Sequence, residues 1–252
     1  MSERQIIVLD TAEDLFVRAA EEIAHIAGEA ICMHGEFTLA LTGGTTPART
    51  YELLATRFEL SVDWKEVQFY WGDDRCVPPT DPSSNYGMAN RTMLSKLKLN
   101  PEQIHRIRGE EKPADGAKAY EDELRKNFKL SDGQFPRFDL MLLGLGDNCH
   151  MLSLFPNIPE IHEQHRLVVP VAVEDKIRHR VTMTAPVMNN SARIMFLISG
   201  AGKAAAVKRV LEGHDNPDDV PAHLVAPRDG VVTWMMDKPA AAQLSPATLA
   251  KH

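Results

Sequence analysis

The sequence feature that most constrains the fold is a unit that recurs along the chain. A short apolar run is followed by a glycine-rich or polar turn and then by a helical pattern of apolar residues. The clearest apolar runs, each with the helical segment after it, are 37–44 with 47–58, 67–73 with 84–97, and 193–200 with 202–213. Apolar runs without alternation are typical of strands covered on both faces, and intervening helices make such a sheet mostly parallel with right-handed crossovers. The sequence therefore predicts an α/β fold with three layers and a mostly parallel central sheet.

Other segments extend this pattern. Residues 11–35 carry apolar residues at helical spacing, with acidic residues in the first turn and a glycine after the end, which predicts an amphipathic helix. Further strands are predicted at 138–146, 167–173, 180–184 and 231–236. The best candidate linker, 109–116, is too short to mark a domain boundary, so residues 1–252 are predicted to form one domain.

Composition and charge restrict the classes of function. The chain has no apolar stretch long enough to span a bilayer, and its first residues lack an export signal. The three cysteines, Cys32, Cys76 and Cys149, have no CxxC spacing, which fits a reducing compartment and argues against structural zinc. We expect a soluble cytoplasmic protein. The net charge of −7 disfavours nucleic acid and membrane as partners, so an anionic ligand needs local cations and amides.

Four loops follow the predicted strands, at the edge where open α/β sheets bind ligands. The loop 42–47 (TGGTTP) offers two glycines, two hydroxyls and the free amides of a helix predicted to begin at Pro47, which together suit an anion. The other loops contribute Arg75, His150 and Lys203. Lys203 lies in the first predicted turn of a helix, where a cation opposes the helix dipole unless it contacts a phosphate.

These loops carry a family resemblance. The motifs, in chain order, are LALTGGTTPARTYELLA, WGDDRCVPPTDPSSNYGMA, LLGLGDNCHMLSLFP, RVTMTAPVMN, FLISGAGKAAAVKRVL and PAHLVAPRDGVVTWMMD. Together they resemble the 6-phosphogluconolactonase family, relatives of the glucosamine-6-phosphate deaminases, from about residue 37 to about residue 237. The resemblance implies a Rossmann-like α/β sandwich that hydrolyses 6-phospho-D-glucono-1,5-lactone to 6-phosphogluconate in the oxidative pentose phosphate pathway, without cofactor or metal. The expected partner is thus a small phosphorylated sugar lactone, and the oligomeric state stays open.

The resemblance also implies a phosphate-binding set of residues. Its members are glycines, hydroxyls and cations of the loops, namely Gly43, Gly44, Thr45, Thr46, Arg75, Arg180 and Lys203. Three cations explain how an acidic chain holds a dianion.

The catalytic loop of the family has the form GxGxDGHTASLFP, which aligns with residues 144–156 and implies that His150 is the catalytic histidine. A neutral imidazole, with an ordinary pKa of about 6.5, takes a proton from the water that attacks the lactone carbonyl. The family's aspartate two residues before this histidine is replaced by Asn148. Our hypothesis is that either Asp147 substitutes for this aspartate or Asn148 orients the imidazole with lower efficiency.

Cys149 replaces a glycine of the family pattern. If the loop needs a positive φ here, the cysteine is strained; otherwise the loop follows another path. A thiol nucleophile with His150 as its base is disfavoured, because adjacent side chains in an extended loop usually point apart.

Two other functions remain open. A glucosamine-6-phosphate deaminase or related isomerase resembles this chain, but such enzymes have Asp-Glu-Tyr in the second loop and lack the SLFP tail kept at 153–156. A non-catalytic sugar-phosphate sensor would keep the cations but not the turnover. Acid release from fresh lactone discriminates hydrolysis from binding.

Overall fold

The computed structural model describes residues 3–250. The strands of this part are β1 Glu3–Leu9, β2 Phe37–Leu41, β3 Val67–Trp71, β4 Asp73–Arg75, β5 Ile104–His105, β6 Leu140–Leu143, β7 Val168–Ala172, β8 His179–Met183, β9 Arg193–Ile198 and β10 Val231–Asp237. Its α-helices are α1 Ala12–His34, α2 Thr45–Leu54, α3 Asn85–Thr92, α4 Pro113–Asn127, α5 Ala185–Asn189, α6 Ala204–Glu212, α7 Lys238–Ala241 and α8 Pro246–Leu249.

Seven strands form the central sheet, in the order β1-β10-β9-β6-β2-β3-β5, and every neighbouring pair is parallel. All residues of β2 and β6 are buried, as expected for strands covered on both faces. The crossovers from β1 to β2 and from β2 to β3 run one way across the sheet, whereas that from β9 to β10 runs the other way. Right-handed connections therefore place α1 and α2 on one face and α6 on the other. The predicted α/β fold with a parallel central sheet is confirmed.

A second, antiparallel sheet joins β4, β8 and β7 in that order. The sequence predicted the strands at 167–173 and 180–184 but not that they form a sheet of their own. Only Gly72 separates β3 from β4, so the chain passes directly from one sheet to the other. The small sheet therefore lies beside the carboxyl end of β3.

The element boundaries confirm some predictions and correct others. Helix α1 begins after Thr11, whose side chain forms a capping box with Asp14, and ends at Gly35 with φ of 88°, as the pattern predicted. The sequence did not predict the edge strand β1. Helix α2 begins at Thr45, not at the predicted Pro47, because Gly44 is the N-cap residue with φ of 114°. Lys203 ends a 3-10 turn that precedes α6, rather than lying in the first α-helical turn.

The longest helix, α1, has 23 residues and alternates buried apolar positions with charged ones. Within residues 3–250, no helix combines the length and the apolar character needed to cross a bilayer.

Candidate active site

The candidate site lies at the carboxyl ends of β2 and β6, which are neighbours in the sheet. Within the central sheet, the next strand after β2 is β3 and the next strand after β6 is β9, and these two lie on opposite sides of the β6–β2 pair. Such a reversal opens a crevice of the kind that binds ligands in open α/β sheets. A cavity of about 240 Å³ occupies it. Its lining comes from all four predicted loops: Thr42, Gly43, Gly44, Asp73, Arg75, Asn85, Gly144, Leu145, Gly146, His150, Met151, Leu152, Arg180 and Lys203.

The first loop reaches the cavity through its backbone. Gly43 and Gly44 line it, and so does Thr42, which the sequence analysis did not select. Thr45 and Thr46 lie just beyond this lining, in the first turn of α2. Because the first turn of a helix has free amides, α2 offers N–H donors next to the residues that line the cavity.

Two arginines lie side by side on neighbouring strands of the small sheet. Arg75 of β4 is the register partner of Arg180 of β8, and both line the cavity. Like charges placed directly opposite each other on two strands repel. Arg180 is 4% exposed and pairs with the carboxylate of Asp175. Burial lowers the pKa of its guanidinium, and the positive charge of Arg75 lowers it further. An anion between the two arginines would relieve this repulsion.

Arg75 is held by its own loop. Its Nη1 donates to the carbonyl of Ser83 at 2.6 Å, while its buried Nε has no hydrogen-bond partner among the described residues. The neighbouring Asp74 carboxylate accepts bonds from four donors: the amides of Arg75, Asn85 and Tyr86 and the hydroxyl of Ser84. Asp74 thus ties β4 to the start of α3. This network fixes the backbone that carries Arg75.

The third cation, Lys203, reaches the cavity from the loop after β9. Its Nζ lies 2.6 Å from the carboxylate Oδ1 of Asp147. The loop is tied to the end of β10, because Asp237 accepts from the hydroxyl of Ser199 at 2.5 Å and from the amide of Gly200 at 2.9 Å. The structure thus brings together the three cations that the sequence predicted.

Asn148 contacts the imidazole of His150. Its Oδ1 lies 2.5 Å from Nδ1 of the ring and accepts the His150 backbone amide at 3.3 Å. Since an amide N–H must face an oxygen, this second bond identifies the atom beside the ring as Oδ1, and Nδ1 therefore carries the proton. The other nitrogen, Nε2, is left with a free lone pair. Asp147 instead pairs with Lys203 and is 80% exposed.

The ring of His150 packs against an aromatic residue of the same loop. Its centroid lies 4.0 Å from that of Phe155, with 12° between the ring planes. Burial lowers the pKa of His150 to about 4, against a smaller opposing effect of the Asp73 carboxylate. The imidazole is therefore neutral at neutral pH, the state that a general base requires.

Cys149 has a left-handed backbone, with φ of 66°, a conformation that glycine adopts without strain. Of the two alternatives for this position, the structure has the strained one. The side chain is fully buried, and Sγ lies 3.8 Å from the carbonyl of Ala206 in α6. Burial raises the pKa of the thiol. A buried, protonated thiol is a poor nucleophile.

Besides Thr42, sequence reasoning missed two polar residues of the cavity, Asp73 and Asn85. The Asp73 carboxylate is 4% exposed and accepts from the hydroxyl of Ser153 at 2.6 Å. The Asn85 amide donates to the carbonyl of Asp73 at 2.9 Å, and its Oδ1 is buried without a partner among the described residues. The double aspartate of GDDRCVP was visible in the sequence. Nothing there indicated that Asn85, 12 residues later, returns to the same place.

The arrangement combines two chemical capacities. Three cations and a set of backbone amides suit an anionic group such as a phosphate, and a neutral imidazole beside them can take a proton. Among the described residues, no group of three or more His, Cys, Asp or Glu side chains is arranged to hold a metal ion.

Comparison with known proteins agrees with this picture. The family model described as "Glucosamine-6-phosphate isomerases/6-phosphogluconolactonase" matches residues 10–234. A 6-phosphogluconolactonase of Synechocystis is 35% identical over 243 residues, which cover 96% of this chain and 99% of the relative. A "Probable 6-phosphogluconolactonase 3, chloroplastic" of Oryza sativa is 34% identical, over 95% of this chain and 76% of the relative.

Solved structures share the fold. The 6-phosphogluconolactonase from Trypanosoma cruzi superposes with a TM-score of 0.85 at 25% identity, over 97% of this chain and 98% of that one. A monomeric glucosamine-6-phosphate deaminase superposes with a TM-score of 0.79 at 24% identity, over 95% of this chain and all of that one. At that identity, the deaminase shows a common fold alone.

Proposed function

This chain belongs to the glucosamine-6-phosphate isomerase/6-phosphogluconolactonase family, and we propose that it hydrolyses 6-phospho-D-glucono-1,5-lactone to 6-phosphogluconate, a step of the oxidative pentose phosphate pathway. Relatives that bear the lactonase name are similar to it over nearly its whole length. The proposal assigns a role to each side of the cavity.

The phosphate of the substrate is held by Arg75, Arg180 and Lys203, with help from the amides of the Gly43–Gly44 turn. Two guanidinium groups and one ammonium carry three positive charges, enough to neutralise the two negative charges of a phosphate dianion. This anchor places the lactone ring over His150, which lines the same cavity.

His150 acts as the general base. Its Nε2 removes a proton from water while the water oxygen attacks the lactone carbonyl, which gives a tetrahedral intermediate and an imidazolium. The intermediate collapses with cleavage of the bond to the ring oxygen, and the imidazolium returns its proton to that oxygen. Asn148 keeps the other nitrogen protonated and the ring oriented. No covalent intermediate with Cys149 is needed.

One observation carries the proposal: two opposed arginines and an unprotonated histidine nitrogen share one cavity. A deaminase of this family would share the anchor, so the loops must decide between the two reactions. The SLFP tail favours the lactonase, because the deaminase pattern lacks it, and its first residue, Ser153, donates to the buried Asp73 inside the site.

The test compares the wild type with His150→Gln. Acid release from freshly prepared lactone is followed with a pH indicator, after subtraction of spontaneous hydrolysis, and binding of 6-phosphogluconate is measured by calorimetry. We expect the variant to lose most of the acid release, by at least about 100-fold, and to keep product binding within a few fold. Product binding without acid release by the wild type would indicate a sensor. Ammonia release from glucosamine-6-phosphate would indicate a deaminase.

We also propose a cytoplasmic location. The three cysteines are all free, which fits a reducing compartment, although the rice relatives bear the word chloroplastic in their names.

A further inference from the structure

Phe155 belongs to the catalytic loop, five residues after the proposed base, and its ring makes two contacts of interest. It stacks on the imidazole of His150 at 4.0 Å between centroids. It also receives the guanidinium of Arg180, whose central carbon lies 5.2 Å from the ring centroid. One aromatic ring thus contacts both the proposed base and a proposed phosphate ligand.

The imidazole is also restricted by Gly146. A Cβ added to Gly146 would lie 2.1 Å from Nδ1 of His150, so only a glycine leaves room for the ring. The backbone amide of Gly146 also donates to the carbonyl of His150 at 2.8 Å. Both the Gly146 backbone and the Phe155 ring therefore restrict the imidazole.

Phe155 is itself held by the small sheet. It packs against a cluster formed by Val169, Val171 and Val173, all 3–4% exposed. The turn that leads to it is closed by a bridge between Met151 and Leu154. The position of the ring is thus set by a hydrophobic cluster separate from the main core, and that cluster lies on the strand next to the one that carries Arg180.

We propose that Phe155 is a positioning residue for the proposed reaction: its ring clamps the His150 imidazole against Gly146 and keeps Nε2 pointed at the lactone. The effect of this clamp on catalysis rests on the proposed function. The confinement of the His150 ring can be measured without turnover. Phe155 itself exchanges no proton.

The clamp also excludes water from the ring. The charged groups that act on His150 are Asp73 and Asp175, which favour its protonation, and Arg180 and Lys203, which oppose it, while burial has the largest effect. Removal of the Phe155 ring admits water to one face of the imidazole and leaves those four charges in place. We therefore expect the pKa of His150 to rise from about 4 toward its ordinary value of about 6.5.

The experiment uses Phe155→Ala and Phe155→Leu, with Phe128→Leu as the matched control. Phe128 is also partly buried and packs on aromatic rings, those of Tyr70 and Phe138, which lie outside the cavity lining. We expect kcat to fall by about tenfold or more in Phe155→Ala and by about threefold in Phe155→Leu, with KM within about twofold of the wild type in both. The control should keep both constants.

The second readout is an NMR titration of the His150 ring in the resting protein. We expect its pKa to rise by about one unit or more in Phe155→Ala, by less in Phe155→Leu, and not in the control. An unchanged pKa in Phe155→Ala, or a loss of kcat equal to that of the control, would overturn the clamp. If the wild type hydrolyses no lactone, the proposed function fails, and the titration still decides whether Phe155 confines the ring.

Discussion

The substitution Asn148→Asp tests the most unusual feature of the site, a neutral amide where the family pattern has a carboxylate. The new carboxylate would take the place of Oδ1, 2.5 Å from Nδ1 of His150. Two unit charges about 4 Å apart interact by about 4 kcal/mol at an effective dielectric constant of about 20 and by about 1 kcal/mol in bulk water. Asn148 is exposed and His150 is half-buried, so we expect an interaction energy between these limits, about 1.4–2.7 kcal/mol. This energy corresponds to a rise of about one to two units in the pKa of His150.

The direction of the shift in the His150 pKa follows from the protonation state that the new carboxylate stabilises. Because it favours the imidazolium, the pKa of His150 rises from about 4 to between about 5 and 6. The ring remains neutral at pH 7.5, so no base is lost there. If about half of the interaction is expressed in the transition state, kcat rises by about three- to tenfold.

The measurements are an NMR titration of the His150 ring and acid release from lactone at pH 7.5. Asp147→Asn is the control, since that carboxylate contacts Lys203. We expect it to leave the His150 pKa within about half a unit of the wild-type value. The reasoning fails if Asn148→Asp leaves pKa and kcat unchanged. If, in addition, Asp147→Asn abolishes turnover, Asp147 supports the base.

Two further predictions concern the backbone of the same loop. Cys149→Gly should be more stable than Cys149→Ala by about 1 kcal/mol in the free energy of unfolding, measured with urea, because only glycine relieves the positive φ of 66°; equal stabilities would show that the conformation costs nothing. Gly146→Ala should lower kcat by about tenfold or more, because the new Cβ would meet the imidazole at 2.1 Å, whereas Gly28→Ala meets no atom within 4 Å, lies outside the cavity lining and should keep full activity; equal losses in both variants would contradict the confinement of the ring.

Much of the fold was predictable because it depends on periodicity. Unbroken apolar runs and well-capped helices encode a parallel α/β sheet locally, and α1 shows both of its predicted ends. The separate antiparallel sheet was not predictable. Its strands have ordinary apolar character, and only the pairing of β4 with β8, about 100 residues apart, tells them from strands of the main sheet. The edge strand β1 was not predicted, because its apolar run, residues 6–9, is short.

The candidate site likewise has a part that was predictable from local sequence and a part that was not. His150, Arg75, Arg180 and Lys203 follow from motifs in the sequence. Other features depend on long-range contacts or on side-chain rotamers, which the motifs do not specify. These features are the pairing of the two arginines, the partner of the imidazole and the position of Asn85. In particular, the sequence left Asp147 and Asn148 as equal candidates, and the side-chain directions distinguish them.

The two departures in the catalytic loop have different physical consequences. Cys149 has a left-handed backbone, with φ of 66°, and its thiol lies beside α6, so this position of the loop is strained. Asn148 retains the hydrogen bond to the imidazole but removes a negative charge from the ion pair that would form when the proton arrives. The loop therefore preserves geometry and loses electrostatic stabilisation. Similarity of fold shows the first property and not the second. In the proposed mechanism, turnover therefore depends on how far the Asp73 carboxylate, which is buried in the lining of the cavity, stabilises the imidazolium.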